Sequence, residues 1–188
     1  MKTDIIEILK QYVDDIRLAH STSTAQTAVM LAKHYGADEE KAYLAGLLHD
    51  IAKCLSKEQL LSLSKKYSYD LSEVEKKNTK LLHGPVGAII LENEIGIKDE
   101  EILSAVGCHT TGKPNMSLLD KIIYIADLIE PLRKFKGTEE IREIAYKDID
   151  LAVHLASRRV LEYILKKDLA IHENTVLVYN EFISKEDI

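Results

Sequence analysis

Apolar residues recur along this chain at intervals of three and four, which is the spacing of one helix face. In the N-terminal segment this face runs from Ile5 to Ile16, so a first helix is predicted to begin after Thr3 or Asp4. No stretch of useful length alternates apolar and polar residues as a strand would, and no internal repeat or low-complexity tract is found. The pattern predicts an all-α fold, a single globular helical array.

Residues that favour helix ends divide the rest of the chain into further predicted helices. Ser, Thr and Asp side chains cap helix N-termini by accepting backbone N–H bonds, whereas Gly and Pro end helices. The clearest loop runs from Thr110 to Asn115. The predicted helices are Ser21 to about Tyr35, Asp38 through Ile51, one from Ser56, Ser72 to near His83, Pro85 to Gly96, Asp99 to Cys108, Ser117 to Pro131, one from Thr138, Asp148 or Asp150 to about Lys167, and Thr175 to about Ser184.

Composition and charge narrow the class of protein. The 188 residues are 46% hydrophobic, which supplies one core for one domain over residues 1–188. The net charge of −6 disfavours a broad basic face for nucleic acid. No apolar run approaches the roughly 20 residues that span a bilayer, and the acidic N-terminal helix is unlike a secretory signal. We therefore expect a soluble, cytoplasmic protein that binds neither nucleic acid nor membrane.

The two cysteines carry no sign of a disulfide or a thiolate metal site. Cys54 and Cys108 form no C-x-x-C pair, and each lies within an apolar helical pattern. Both are predicted to be buried thiols in a reducing compartment.

Three charged or polar residues interrupt segments that are otherwise apolar. His49 and Asp50 lie within residues 44–52, and Asp127 is the lone charge within residues 122–129. A buried carboxylate without a partner costs several kcal/mol, so compensation is required. A bound metal ion would supply it, and an ion pair between histidine and aspartate in the core is the alternative.

Three further histidines lie at predicted helix ends. His20 is expected at the junction of the first two helices, His83 before a Gly-Pro pair, and His109 before the predicted loop. Taken singly, each is more often a capping or surface residue than a ligand. Together with two buried acids they favour a metal cluster. In contrast, His34 and His154 lie among polar residues of helices and are expected to be structural or solvated.

The order His20, His49-Asp50, Asp127 resembles the HD-domain metal phosphohydrolases, whose central motif is similar to AGLLHDIAK at residues 45–53. Two longer stretches, LLHGPVGA at 81–88 and CHTTGKPNMSLLDKIIYIADLIEP at 108–131, resemble the YqeK branch of bacterial symmetrical diadenosine tetraphosphate hydrolases. The similarity spans nearly the whole chain. It implies metal-dependent hydrolysis of diadenosine tetraphosphate, and of related dinucleoside polyphosphates, at the centre to give two ADP.

The same resemblance implies a ligand set for the metal. His20, His49, Asp50 and Asp127 match the family's iron ligands. Mixed imidazole and carboxylate ligands suit transition metals, so manganese, cobalt and zinc remain open beside iron. His83 and His109 match positions that either bind a second metal together with Asp50 or contact substrate phosphates. We expect Asp50, His83, His109 and Lys53 to be catalytic.

The expected substrate-binding residues include His20, His83 and His109. Lys53 lies one turn beyond the His-Asp pair, where it meets a phosphate or is simply solvated, and Arg133 offers a planar fork to phosphate or lies at the surface. By resemblance, further residues lie near the bound nucleotide, although the proline that often follows the family's C-terminal histidine is absent here. These further residues are Thr110, Arg133, His172 and Thr175.

Two other functions remain open from the sequence. The chain resembles HD phosphohydrolases closely enough that a mononucleotide, a nucleoside triphosphate or a signalling nucleotide is an alternative substrate. A catalytically silent, metal-stabilised nucleotide sensor belongs to a different class, and the presence of both His83 and His109 argues against it. The sequence does not decide between a monomer and a homodimer.

Overall fold

The structure is a computed structural model that describes residues 2–135 and 137–181. This part of the chain contains no strand, which confirms the all-α prediction. A 3-10 turn (Thr79–Leu82) precedes α6, and a π-helical segment (Leu91–Ile95) follows it. The α-helices are α1 (Lys2–Leu9), α2 (Asp15–Tyr35), α3 (Glu39–Leu48), α4 (Lys57–Lys66), α5 (Glu73–Lys77), α6 (His83–Ile90), α7 (Glu100–Cys108), α8 (Leu118–Ile129), α9 (Thr138–Ile144), α10 (Ile149–Lys166) and α11 (Glu173–Glu181).

The core lies where α2, α3, α6, α7 and α8 meet. α2 packs against α3 and α8, and α7 packs against α3, α6 and α8. α10 packs against both α8 and α11. The apolar faces of these helices are removed from water, which is the main source of their stability. The largest fully buried aliphatic side chains include Leu31, Leu47, Leu48, Ile51, Ile122, Ile123 and Ile125.

α3 lies unusually close to α2 because Gly46 has no side chain. A Cβ at this position would lie 2.8 Å from the Cα of Ala25, which is closer than carbon atoms pack. The close approach holds the C-terminal end of α3 against the middle of α2. His49 and Asp50 follow this end directly and are therefore brought next to residues of α2.

Most predicted helix starts are confirmed by hydrogen bonds from the capping side chain to the following backbone. Ser56, Ser72 and Ser117 form capping boxes, in which a side chain three residues later bonds back to the cap. Asp38, Asp99 and Asp148 each accept two backbone N–H bonds. The predicted loop after His109 is also confirmed.

The predicted boundary between the first two helices is wrong. Asp14 caps α2 by accepting a bond from the backbone N–H of Arg17 at 2.8 Å, so the chain turns before this point. Ser21 was expected to be the cap, but it is buried inside α2. His20 therefore lies within α2 instead of at a junction. Ile16 was expected on the buried face of the first helix, but it belongs to α2 and is 82% exposed.

Two other predicted helices are shorter than expected. α3 ends at Leu48, so His49 and Asp50 do not interrupt a helix but begin the turn that follows it. The helix capped by Ser72 does not continue to His83, because Asn78 leaves the helical conformation (φ −128°, ψ 78°). His83 instead opens α6.

The helix starts near residues 138 and 175 also differ from the prediction. The N-cap of α9 is Gly137, with φ at +95°, and the Thr138 hydroxyl donates to the carbonyl of Phe135 instead of capping the helix. α11 begins earlier than predicted, at Glu173. Its predicted end, Ser184, lies outside the described residues.

The cysteine prediction is confirmed for Cys108, which is buried, and wrong for Cys54, which is exposed. Cys54 lies in the turn after α3, where the expected helix has already ended. Within residues 2–135 and 137–181, no helix is both long enough and apolar enough to cross a bilayer.

Candidate metal centre

Four side chains from three separate parts of the chain converge in the core. His20 comes from α2, His49 and Asp50 follow α3, and Asp127 lies in α8. The Nε2 atom of His20 is 3.0 Å from Asp127 Oδ1 and 3.8 Å from Asp50 Oδ2. The Nε2 atom of His49 is 3.6 Å from Asp127 Oδ1 and 3.5 Å from Asp50 Oδ2. This group is called the first cluster below.

The two histidines of the first cluster present lone pairs to its centre. Nδ1 of His49 donates to the carbonyl of Gly46 at 2.7 Å, and Nδ1 of His20 donates to the Glu130 carboxylate at 3.1 Å. In the neutral ring the other nitrogen is then an acceptor. The two Nε2 atoms nevertheless face each other at 3.2 Å, where two lone pairs repel unless a cation lies between them. Such outer hydrogen bonds are typical of histidines that bind metals.

A second cluster shares Asp50 with the first. Asp50 Oδ1 lies 3.1 Å from Nε2 of His83 and 3.4 Å from Nε2 of His109. The Nδ1 atoms of these rings donate to backbone carbonyls of Lys80 and Val106, and their Nε2 atoms are 3.0 Å apart. The second cluster is therefore built like the first, with its two rings at the start of α6 and directly after α7.

The charges of both clusters favour a bound cation. Burial opposes ionisation of Asp50, but the charge of His49 and the imidazole rings around the carboxylate outweigh burial and hold the pKa of Asp50 far below its usual range. Burial would likewise lower the pKa of His49, but Asp50 and Asp127 outweigh it and raise that pKa to about 10. The two carboxylates thus favour a positive charge at Nε2 of His49, which either a proton or a metal ion can supply. Burial lowers the pKa of His109 to about 4, so its ring is neutral, as a ligand must be.

These donors fit a divalent transition metal. Among the residues that the structure describes, three sets of side chains have ligand atoms close enough to share one ion, and two of the sets contain Asp50. Asp50 Oδ1 is buried and has no hydrogen-bond partner among the described residues, a costly state that a cation would relieve. Imidazole nitrogen with carboxylate oxygen is a donor set that suits transition metals better than magnesium or calcium.

Three cationic side chains surround the clusters. Arg17 contacts Asp50 Oδ2 at 2.7 Å, and Arg133 contacts Asp127 Oδ1 at 2.7 Å through Nη2. Nζ of Lys53 lies 3.0 Å from His83 Nε2 and 3.6 Å from Asp50 Oδ1. Lys53 and Arg133 therefore both contact residues of the clusters and are not free in solvent.

Sequence reasoning missed Arg17 and Glu130. Both look like ordinary surface residues in the sequence, but Glu130 is 1% exposed and bonds the ring of His20. A signal was available, because Arg17 precedes His20 by three residues and Glu130 follows Asp127 by three, and residues at this spacing share a helix face. Both residues lie beside positions that the sequence predicts to be metal ligands.

A cavity of about 440 Å³, called the first cavity below, lies beside the second cluster. Its lining includes Thr110, Lys113 and His172. The Thr110 hydroxyl lies 3.0 Å from Nε2 of His83 and 3.1 Å from Nε2 of His109, so it joins the cavity to the cluster.

The C-terminal candidates lie beside the first cavity and not in the clusters. His172 is buried, accepts the backbone N–H of Asn174 at Nδ1, and has Nε2 3.5 Å from the Ser72 hydroxyl. Thr175 donates to the carbonyl of Thr111 at 3.3 Å and holds α11 against the loop. The structure thus brings His172 to the cavity wall, whereas Thr175 supports the wall from behind.

Comparisons with known proteins identify the family of this chain. A family model described as the HD domain matches residues 17–132. A protein named symmetrical bis(5'-nucleosyl)-tetraphosphatase from Halalkalibacterium halodurans is 38% identical, over 96% of each chain, and one of the same name from Bacillus subtilis is 35% identical over 97% of this chain and 98% of the relative.

A solved structure is similar over the whole described fold. The crystal structure of a protein from Clostridium acetobutylicum, described as a predicted HD superfamily hydrolase involved in NAD metabolism, has a TM-score of 0.95 and 41% identity, and the match covers 98% of both chains. The family model, the full-length relatives and the shared fold lead to one conclusion. This chain belongs to the HD-domain hydrolases, in the family of the symmetrical bis(5'-nucleosyl)-tetraphosphatases.

Proposed function

We propose that this protein hydrolyses diadenosine tetraphosphate, and related dinucleoside polyphosphates, at the centre of the phosphate chain to give two ADP. The observation that carries the proposal is the pair of buried clusters that share Asp50. The names of the full-length relatives supply the substrate class. Because this substrate is a nucleotide of the cell interior, a cytoplasmic location follows from the proposal.

His20, His49, Asp50 and Asp127 would hold the first metal ion. Asp50 Oδ1, His83 and His109 could hold a second, or the two rings could contact substrate phosphates. Iron is our first candidate for the native ion, with manganese, cobalt and zinc as alternatives. A metal in such a site would polarise a phosphoryl oxygen and lower the pKa of bound water towards neutrality.

The chain's own cations suit a polyphosphate. Water adds to one of the two central phosphorus atoms, the bond to the bridging oxygen breaks, and ADP leaves as an anion. Phosphoryl transfer of this kind depends mainly on positioning and on neutralisation of charge. Lys53, Arg17 and Arg133 lie within 4 Å of ligand carboxylates, where they can bind the phosphate oxygens.

The first cavity is proposed to bind one nucleoside half of the substrate. Thr110 connects it to the second cluster, and His172 forms part of its wall. Lys113 adds a positive charge that is held by the buried Asp120 at 3.0 Å. Thr175 acts through the loop that it supports.

Incubation with diadenosine tetraphosphate in the presence of iron, manganese or cobalt, followed by chromatography, tests the proposal. We expect ADP as the sole nucleotide product. Recovery of ATP plus AMP, or no turnover with any of these ions, would contradict it. A substrate panel of mononucleotides, triphosphates and signalling nucleotides, ranked by kcat/KM, tests the alternative substrates.

The Asp50→Ala variant tests the alternative of a silent sensor. If it retains its helical circular dichroism and loses turnover, the metal serves chemistry and not structure alone. The exposed Asp15→Ala variant is a suitable control, because Asp15 lies at the start of α2 and contacts neither cluster. Absence of turnover in the wild type and in both variants would favour the sensor.

A further inference from the structure

We propose that a second cavity, beside Arg133, binds the other nucleoside half of the dinucleotide by stacking its base on Tyr163 and Phe135. The cavity has a volume of about 600 Å³ and is formed by the end of α8, the segment after it and the C-terminal half of α10. This inference rests on the proposed function, because it assigns the half of the substrate that the first cavity does not hold.

The position of the second cavity is the first argument. Arg133 lines it and also contacts Asp127 Oδ1 at 2.7 Å, so the cavity adjoins the first cluster. The first cavity adjoins the second cluster through Thr110. Asp50 belongs to both clusters, because its Oδ2 faces the first cluster and its Oδ1 faces the second. The cavities share no lining residue and lie at opposite ends of this series of contacts.

The chemistry of the lining is the second argument. Tyr163 is 59% exposed and Phe135 is 38% exposed, although large aromatic side chains are usually covered. Leu128 and Val160 add apolar surface, so the cavity is apolar on one side. Aromatic side chains in such a setting bind the flat face of a nucleobase.

Charge in the second cavity suits a nucleotide. Arg159 is held by Glu162 at 2.9 Å and by Glu140 at 3.4 Å, and it lines the cavity together with Lys166. Arg133 places a positive charge between this cavity and the proposed metal ligand Asp127. A ligand with a base at one end and phosphates towards the clusters therefore matches both the apolar and the cationic parts.

Symmetrical cleavage is the third argument. Cleavage at the middle of a symmetrical substrate requires equal halves to extend in both directions from the central bridging oxygen. A single nucleoside pocket would leave one base in solvent, and binding energy from remote groups is what positions a substrate for reaction. The two cavities, one beside each cluster, can each bind one half of the substrate.

Titration calorimetry with ADP on the metal-containing protein tests the inference. Wild type is expected to bind two ADP per chain, and Tyr163→Ala to lose one or to bind it about tenfold more weakly, the usual size of a stacking contact. Tyr163→Phe keeps the ring and should bind as wild type does. Leu165→Ala is the control, because Leu165 is 66% exposed on the same helix but does not line the cavity.

Kinetics give a second readout. For diadenosine tetraphosphate, Tyr163→Ala should lower kcat/KM about tenfold, mainly through KM, whereas inhibition by inorganic pyrophosphate should not change, because pyrophosphate has no base. One ADP per wild-type chain, or equal ADP binding by wild type and Tyr163→Ala, would overturn the inference.

Other outcomes separate the two proposals. If Tyr163 is needed for ADP binding but diadenosine tetraphosphate is not cleaved, the proposed function fails and the nucleotide pocket stands. If Tyr163→Ala changes a dimer to a monomer in sedimentation while ADP binding is unchanged, this face is an interface between copies of the chain, and the inference is overturned.

Discussion

α6 and α7 cross where Gly84 faces the backbone of Gly107, and this crossing brings His83 and His109 together. A Cβ added at Gly84 would lie 2.8 Å from the carbonyl oxygen of Gly107. Carbon and carbonyl oxygen normally approach to about 3.3 Å, so Gly84→Ala must push the helices apart by roughly 0.5 Å. We expect this variant to lose both stability and rate.

The expected magnitudes follow from two opposing terms. Overpacking costs about 1–3 kcal/mol, while alanine recovers up to about 1 kcal/mol of helix propensity. A net loss of about 1–2 kcal/mol lowers Tm by about 2–8 °C in a chain of this length. The Nε2 atoms of His83 and His109 are 3.0 Å apart. A 1 Å displacement of a catalytic group can lower the rate about 100-fold, so a displacement of roughly 0.5 Å should lower kcat about tenfold.

Thermal unfolding by circular dichroism and kcat for diadenosine tetraphosphate measure these effects. Gly107→Ala is the control for stability, because its Cβ would meet only Ala88 Cβ at 3.6 Å, an ordinary contact. Its Tm should rise by about 1–4 °C. A Gly84→Ala variant with the Tm and the kcat of wild type would refute the claim that close approach of α6 and α7 forms the second cluster.

Three further predictions concern the ligands, their support and pH. Asp127→Ala should reduce the bound metal per chain, measured by mass spectrometry, about tenfold or more, whereas His109→Ala should keep one ion and lower kcat. Unchanged metal content in Asp127→Ala would remove Asp127 from the ligand set. Glu130→Gln, which alters the bond that orients His20, should weaken metal binding about 10- to 100-fold in chelator competition, while the exposed Glu139→Gln should not. Burial and the neighbouring Glu75 raise the pKa of Tyr69 above the unfolded value of 10.0, so the folded state keeps this proton longer. The resulting stability is complete below pH 10 and is lost as pH rises through the folded pKa. Tyr69→Phe should therefore lose less free energy of unfolding, measured in urea, as the pH rises above 10, and an identical pH dependence of both proteins would contradict this.

The residues proposed as metal ligands stand out in the sequence for a simple reason. His49, Asp50 and Asp127 break apolar segments, and such groups need compensation wherever the segments pack. Arg17 and Glu130 break no pattern, and their partners lie 33 and 110 residues away in the chain. Spacing of three residues places them on the same helix face as predicted ligands, but their partners are decided by contacts between distant segments.

The sequence by itself determined the helical class, most helix caps and the ligand types, because these depend on periodicity and on bonds between residues a few positions apart. Only the tertiary structure decided that Asp50 lies between two clusters, that His20 sits inside α2, and that two cavities flank the centre. These features require helices from distant segments to meet at particular distances. Those distances are decided by packing, such as the close approach at Gly46, and packing acts between residues that are far apart in the chain.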